Sequence, residues 1–183
     1  SDIIKENHLE DIMNIIPTKK ALPLFSAIPK SQKESPDLER SFYSWHANYF
    51  TFNRKKILVL VNDKSFSPIV LADINAKNKK DLNDMIKSGI EEVFSYSNIP
   101  PVQIKKYFLK AGRLEISSNY NRSIISINNN MIQHCQFFTE EIDFQTNLQP
   151  TIMKFLANTP YRSQTPEYFI STEIVEIELK KLI

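Results

Sequence analysis

Glycine is nearly missing from this chain: Gly89 and Gly112 are the only two in 183 residues, where average usage would give about 13. A Walker loop or a dinucleotide fingerprint needs several glycines, because the backbone must approach phosphate with no Cβ in the way. Neither can be built here. Cysteine is as scarce. Cys135 stands alone, which excludes an intrachain disulfide and suits a reducing compartment. No apolar run approaches the roughly 20 residues that span a bilayer. Residues Ser1–His8 also lack the basic-then-apolar layout of a signal peptide. The expectation is a cytoplasmic protein with no membrane partner. An excess of one charge is missing too: 23 Lys and Arg stand against 21 Asp and Glu, a net of +2, too little to steer the whole molecule toward nucleic acid or anionic lipid. Any such binding must come from a local patch. His8, His46 and His134 show no metal-site spacing, and the adjacent His134 and Cys135 would point about 100° apart on a helix. No metal and no cofactor is expected.

What is present is ordinary globular material, 42% apolar and 24% charged, in a length that supports one core without staples. The many Asn, Ile and Lys residues resemble the product of an AT-rich genome, which associates the chain with a low-GC bacterium, phage or plasmid.

Patterning divides the chain into a polar extension over residues 1–12 and a single domain over 13–183. Met13–Ile16 reads as a short strand, and Thr18 as the cap of a short helix interrupted by Pro23. Residues 31–40 are polar with Pro36, a loop. Tyr43–Phe52 alternates like a strand, Asn53–Lys56 is turn-like, and Ile57–Val61 is a continuous apolar run suited to a central strand. A third strand follows over Phe66–Leu71, where Pro68 favours an edge or bulge. Together these predict an antiparallel meander. Leu82, Met85, Ile86, Ile90, Val93 and Phe94 form a helical stripe. Pro101 opens a second helix that Gly112 ends in a left-handed stop. A strand near Leu114–Ile116 comes next, then a helix capped by Ser123 that carries Ile124, Ile127, Met131, Cys135 and Phe138 on one side. Residues 139–150 are loop-like, and Ile152–Leu156 suggests a short helix. Thr165-Pro166-Glu167 reads as the start of a last helix, with a strand over Ile174–Leu179 as the alternative. The predicted fold class is α+β: a small, mainly antiparallel sheet packed against four or five helices.

The densest block is Trp45-His46-Ala47-Asn48, leading through Asn53-Arg54-Lys55-Lys56 to Asn62. Together with Thr18-Lys19-Lys20 upstream and Asn121-Arg122-Ser123 downstream, it resembles an uncharacterised bacterial family, a domain of unknown function. That family pairs a Thr-Lys-Lys helix with a Trp-x-Ala-Asn block and an Asn-Arg-Arg-Lys turn. The resemblance covers about residues 13–140 well and the remainder weakly. Met13 lines up with the usual start, Lys55 replaces an arginine, and Ile125-Ser126 replaces Gly-Ser. The resemblance implies a fold and a bacterial or mobile-element origin, and brings no activity with it.

Several residues in these blocks carry chemistry that could be used. Arg54, Lys55 and Lys56, with Asn53 in the turn and Lys64 or Arg122 alongside, would make a phosphate-sized cationic patch, since Arg chelates anions with its fork and Lys acts as a point charge. Solvated turns and charges that protect sheet edges account for the same residues. Trp45 suits burial at a strand start; as a surface residue it would be a stacking platform for a base, with Asn48 and Asn121 as further contacts. His46 is the catalytic candidate because its ordinary pKa lies near neutrality. Arg40-x5-His46 also matches the spacing of an all-helical ribonuclease motif. Lys77, Lys79 and Lys80 precede a helix, where cations oppose its dipole. Asn128-Asn129-Asn130 inside a helix hints at a partner-facing surface, and Cys135 belongs to an apolar stripe. The leading expectation is a non-enzymatic protein that engages RNA, DNA or a nucleoprotein through a basic hairpin, for example a phage- or plasmid-borne counter-defence or toxin–antitoxin-like factor. The alternatives are a metal-independent ribonuclease using His46 with Arg54 and Arg122, and a protein–protein interaction module.

Overall fold

A five-stranded sheet of order β4-β3-β2-β1-β5 organises the molecule. The computed structural model describes residues 12–26, 28–29, 40–162 and 168–183; the expected N-terminal extension, the loop over 31–39 and the helix start at Thr165 lie outside them. The strands are β1 (Ile12–Pro17), β2 (Ser44–Phe52), β3 (Lys55–Asn62), β4 (Pro68–Ala72) and β5 (Arg113–Ile116). Among the described residues five helices follow the meander: α1 (Leu82–Phe94), α2 (Pro101–Ala111), α3 (Arg122–Phe137), α4 (Pro150–Ala157) and α5 (Ser171–Lys180). The fold is α+β.

The expected meander is β2-β3-β4, antiparallel throughout. β1 was not part of that pattern. It pairs parallel with β2 on one side and with β5 on the other, so the sheet is mixed. Parallel pairing needs a crossover between the strands, and local alternation carries no record of one.

Strand parity decides which residues meet which helix. Trp45, Leu60 and Ile69 lie on one face, as the register Trp45↔Asn62, Ala47↔Leu60 and Leu60↔Ile69 requires. Against this face Phe94 of α1 lies 6.0 Å from the Trp45 ring, and Tyr107 of α2 accepts the indole N–H at 3.1 Å. Gly89 is needed where α1 meets Ile69: a Cβ there would stand 2.5 Å from Ile69 Cγ2. The other face carries His46, Asn48 and Val59, and is covered by α3. α4 packs along β4, whose outer edge is closed by the segment 147–149 through Ala72 N–H to Asn147 O (2.7 Å) and Gln149 N–H to Val70 O (3.1 Å). Pro68 is the first residue of this edge strand, where its missing N–H costs least.

Three local expectations are corrected. Asn121, not Ser123, caps α3, accepting from the N–H groups of Ser123 (3.0 Å) and Ile124 (3.3 Å). Gly112 has φ 67° but ψ −143°, an extended left-handed geometry open essentially to glycine alone rather than the helical left-handed stop. The last segment turns helical later than expected, at Ser171, after Tyr168–Phe169 form a strand paired with Tyr161–Arg162. It is a helix, not the alternative strand. Among the described residues no helix is long and apolar enough to cross a membrane.

Candidate functional site: the two ends of the β2–β3 hairpin

The densest sequence block folds into one long hairpin whose ends differ. At the inner end, Trp45 is fully buried, its N–H bonded to Tyr107, whose hydroxyl passes on to Phe42 O at 2.8 Å. It offers no stacking face. His46 is 1% exposed. Its Nδ1 lies 2.7 Å from Asp63 Oδ1, and its Nε2 accepts the Asn121 backbone N–H at 3.1 Å. An Nε2 that accepts must be unprotonated, so the proton sits on Nδ1 and faces the carboxylate. Both nitrogens are committed and buried, which leaves the proposed base no site for a substrate proton. Asn62 closes this end. Its Oδ1 receives Lys64 N–H, Ser65 N–H and the Ser65 hydroxyl, and its Nδ2 donates to Phe42 O. That turn holds Phe66 at φ 58°, a strained setting for an aromatic that the bonded loop enforces.

Further along, Asn48 ties three elements together. It accepts the Thr18 hydroxyl at 3.0 Å and donates to Asn129 of α3 at 3.0 Å. Thr18 in turn accepts Ala21 N–H at 3.2 Å and so shapes the chain ahead of the 3-10 turn Leu22–Leu24. Asn128 is buried and donates to Val59 O at 3.1 Å. Of the three consecutive asparagines, Asn128 therefore faces inward, while Asn129 and Asn130 are exposed and Asn129 is held by Asn48.

The outer end is the tip. Only Asn53 and Arg54 form the turn; Lys55 and Lys56 already belong to β3. Both turn residues have positive φ, 49° and 62°, the pattern of a two-residue turn with left-handed geometry that matches the strand twist. Such turns favour Asn followed by Gly; here the second position is an exposed arginine. Parity then splits the lysines. Lys56 shares the Thr51 and Tyr49 face, with its Nζ 5.6 Å from the Tyr49 ring centroid. From the turn after β1, Lys20 joins it, Nζ 4.3 Å from the same ring and 2.8 Å from Tyr49 O. Lys55 faces the other way, 4.5 Å over Phe144 and 3.8 Å from Asp73 Oδ2. The expected triple is thus divided: Lys56 lies beside Lys20 at Tyr49, Arg54 occupies the exposed turn next to them in sequence, and Lys55 is anchored on the other face.

Residues 14–174 match the model of the family described as Domain of unknown function (DUF6933). The chain belongs to that family. No curated protein matches it. Within this DUF6933 chain, much of the blocks that carried the sequence resemblance serves the scaffold: Thr18, Trp45, His46, Asn48, Asn62 and Asn121 each make internal side-chain hydrogen bonds. Lys64 and Arg122 lie at the inner end, beside Asn62 and the Asn121 cap, about 20 Å along β3 from Lys56 by strand rise. The structure therefore joins neither to the Arg54 tip. It likewise keeps Arg54 away from His46, so the three residues of the ribonuclease alternative are not assembled. Sequence reasoning overlooked Lys20 and Tyr49 as a unit. The available signal was parity: Tyr49 and Thr51 alternate onto one face, and a cross-strand partner two residues off register, Lys56, falls beside them.

Proposed function

We propose that this protein is a non-enzymatic binding protein whose hairpin tip engages a nucleic acid or nucleoprotein. Arg54 and Lys56 of the hairpin and Lys20 beside it supply the phosphate contacts. The observation that carries this reading is Arg54 itself. A non-glycine residue at φ 62° costs on the order of 1 kcal/mol against glycine, and among the described residues Arg54 gains no hydrogen bond or ion pair in return. A strained turn that holds a solvent-directed guanidinium is better explained by an external anion than by folding. Lys20 and Lys56 flank Tyr49 on the adjoining face, which adds positive potential beside an aromatic edge, a combination suited to nucleic-acid backbone. Composition favours a bacterial or mobile-element setting and a reducing, cytoplasmic location, and a phage- or plasmid-borne accessory factor fits both.

The test is retention of a mixed RNA and DNA pool by the full chain across a salt series. Binding should weaken steeply with salt, with a log–log slope of roughly 0.7–0.9 for each phosphate neutralised. Lys20→Ala, Arg54→Ala and Lys56→Ala together should remove most of it, and Lys55→Ala alone should remove little. Retention that ignores the triple change overturns the proposal. Absence of any retention, with a protein co-purifying instead, would move the tip to a protein–protein role.

A further inference from the structure

A second region, which the hairpin reading does not use, is built like a small-molecule site. Phe25, Ser26 and Ile28, the lysines of the 3-10 turn Lys79–Asp81 with the start of α1, and strand β5 line an open cleft of about 510 Å³. That lies within the roughly 300–1,000 Å³ typical of ligand pockets. Its floor is apolar, with Phe25, Leu82 and Ile116 all buried. Among the described residues its lining carries Lys79, Lys80 and Arg113 with one carboxylate, Glu115, and Asp81 closes the same 3-10 turn. Glu115 is taken up by Arg113, whose Nε donates to it at 2.8 Å. Lys79 and Lys80 have no ion-pair or hydrogen-bond partner for their ammonium groups among the described residues, and they stand before the N-terminus of a 13-residue helix, where cations are unfavourable for folding. Asp81 and Asp84 follow them at the start of α1, yet among the described residues neither forms an ion pair with them.

We propose that this cleft binds a small amphiphilic anion, a carboxylate or phosphate ester carrying an apolar body. The body would occupy the Phe25–Leu82–Ile116 floor and the anionic group would lie between the Lys79 and Lys80 ammonium groups. Burial of the body supplies affinity, and the charge fixes its orientation. An anion here also relieves the unfavourable approach of two lysines to the positive end of α1.

The experiment is calorimetric titration of the full chain with octanoate, octylammonium and inorganic phosphate. Octanoate should bind saturably at one site. Octylammonium, with the same tail and the opposite charge, should bind at least about tenfold more weakly, and phosphate, which has no body, likewise. Lys79→Gln/Lys80→Gln should weaken octanoate about tenfold, and Asn83→Trp, at the exposed rim, should obstruct the cleft and do the same. Lys105→Gln/Lys154→Gln, which removes two lysines elsewhere, should change nothing. The circular dichroism spectrum and melting curve of each variant establish that it is folded. Equal binding of octanoate and octylammonium, no saturable binding of octanoate, or indifference to the Lys79/Lys80 change would each overturn the proposal.

Discussion

The inner and outer ends of the β2–β3 hairpin are about 20 Å apart along one strand pair and use their polar residues in opposite ways. At the inner end His46, Asn62, Asp63 and Ser65 are buried, and each is bonded to a neighbour. At the outer end Arg54 and Lys56 are exposed, and the turn that carries Arg54 has positive φ at both of its residues. Buried polar groups must be paired because an orphan costs about 1–3 kcal/mol. Solvated charges carry no such requirement, so their presence calls for another reason. The difference teaches that polarity in this block means architecture where it is buried, and that the proposed recognition can draw only on the polarity that is not.

The largest effects should come from the inner end. Trp45→Ala removes a fully buried indole and leaves the Tyr107 hydroxyl without its donor, so chemical denaturation should show a loss of about 3–5 kcal/mol. A loss below 1 kcal/mol would mean that this end is not the root of the core.

The same burial sets an alkaline limit. Burial pushes the Cys135 thiol up to about 12 from its usual 9.0, and it raises the Tyr107 and Tyr161 phenols above their usual 10.0. In each case the folded state holds the proton more tightly than the unfolded chain. Their contribution to stability is therefore fully present below about pH 9 and is lost as pH rises toward the folded values. Urea midpoints should stay level up to about pH 9 and fall steadily above it, and Cys135→Ala should remove the earliest part of that fall. Cys135 should also resist thiol reagents at neutral pH until the protein unfolds. A flat profile through pH 11 would contradict the burial of all three groups.

How much of this contrast was legible in sequence depends on the range of the interaction. Strands β2 to β4, helices α1 to α3 and the exposure of the Asn53-Arg54 turn follow from local alternation, helical stripes and turn chemistry. The parallel pairing of β1 does not, because Ile12–Pro17 finds its partners, Ser44–Ala47 and Arg113–Ile116, far along the chain. The same applies to His46, which reads as a catalyst until Asp63 and the Asn121 N–H close on both of its nitrogens. Lys64 and Arg122 looked like neighbours of Arg54 because sequence distance ignores which end of a strand a turn occupies. Trp45 as buried anchor and Cys135 as part of the core were readable, since large and apolar residues on a periodic face are buried whatever lies opposite.

At the tip, Arg54→Gly should raise stability by about 0.5–1 kcal/mol, since glycine adopts positive φ without a steric penalty, while nucleic-acid retention drops. Stability and binding moving in opposite directions is the signature of a residue kept for function. If Arg54→Gly is destabilising, some contact of the arginine supports the fold and the argument from strain fails.

The smallest effect tests whether location or merely charge matters. Lys64→Gln with Arg122→Gln removes two exposed cations from the inner end, the same charge change as removing Arg54 and Lys56 together. Stability should shift by no more than about 0.5 kcal/mol, and the loss of Arg122 from the N-terminus of α3, where a cation opposes the dipole, acts toward a gain. Retention of the RNA and DNA pool should stay close to wild type, and its salt slope should be unchanged, because neither residue touches the phosphates that the tip would hold. A slope that falls by one or two units would show that both ends of the hairpin face the nucleic acid. The ligand would then have to lie along the full length of β3 rather than across its turn.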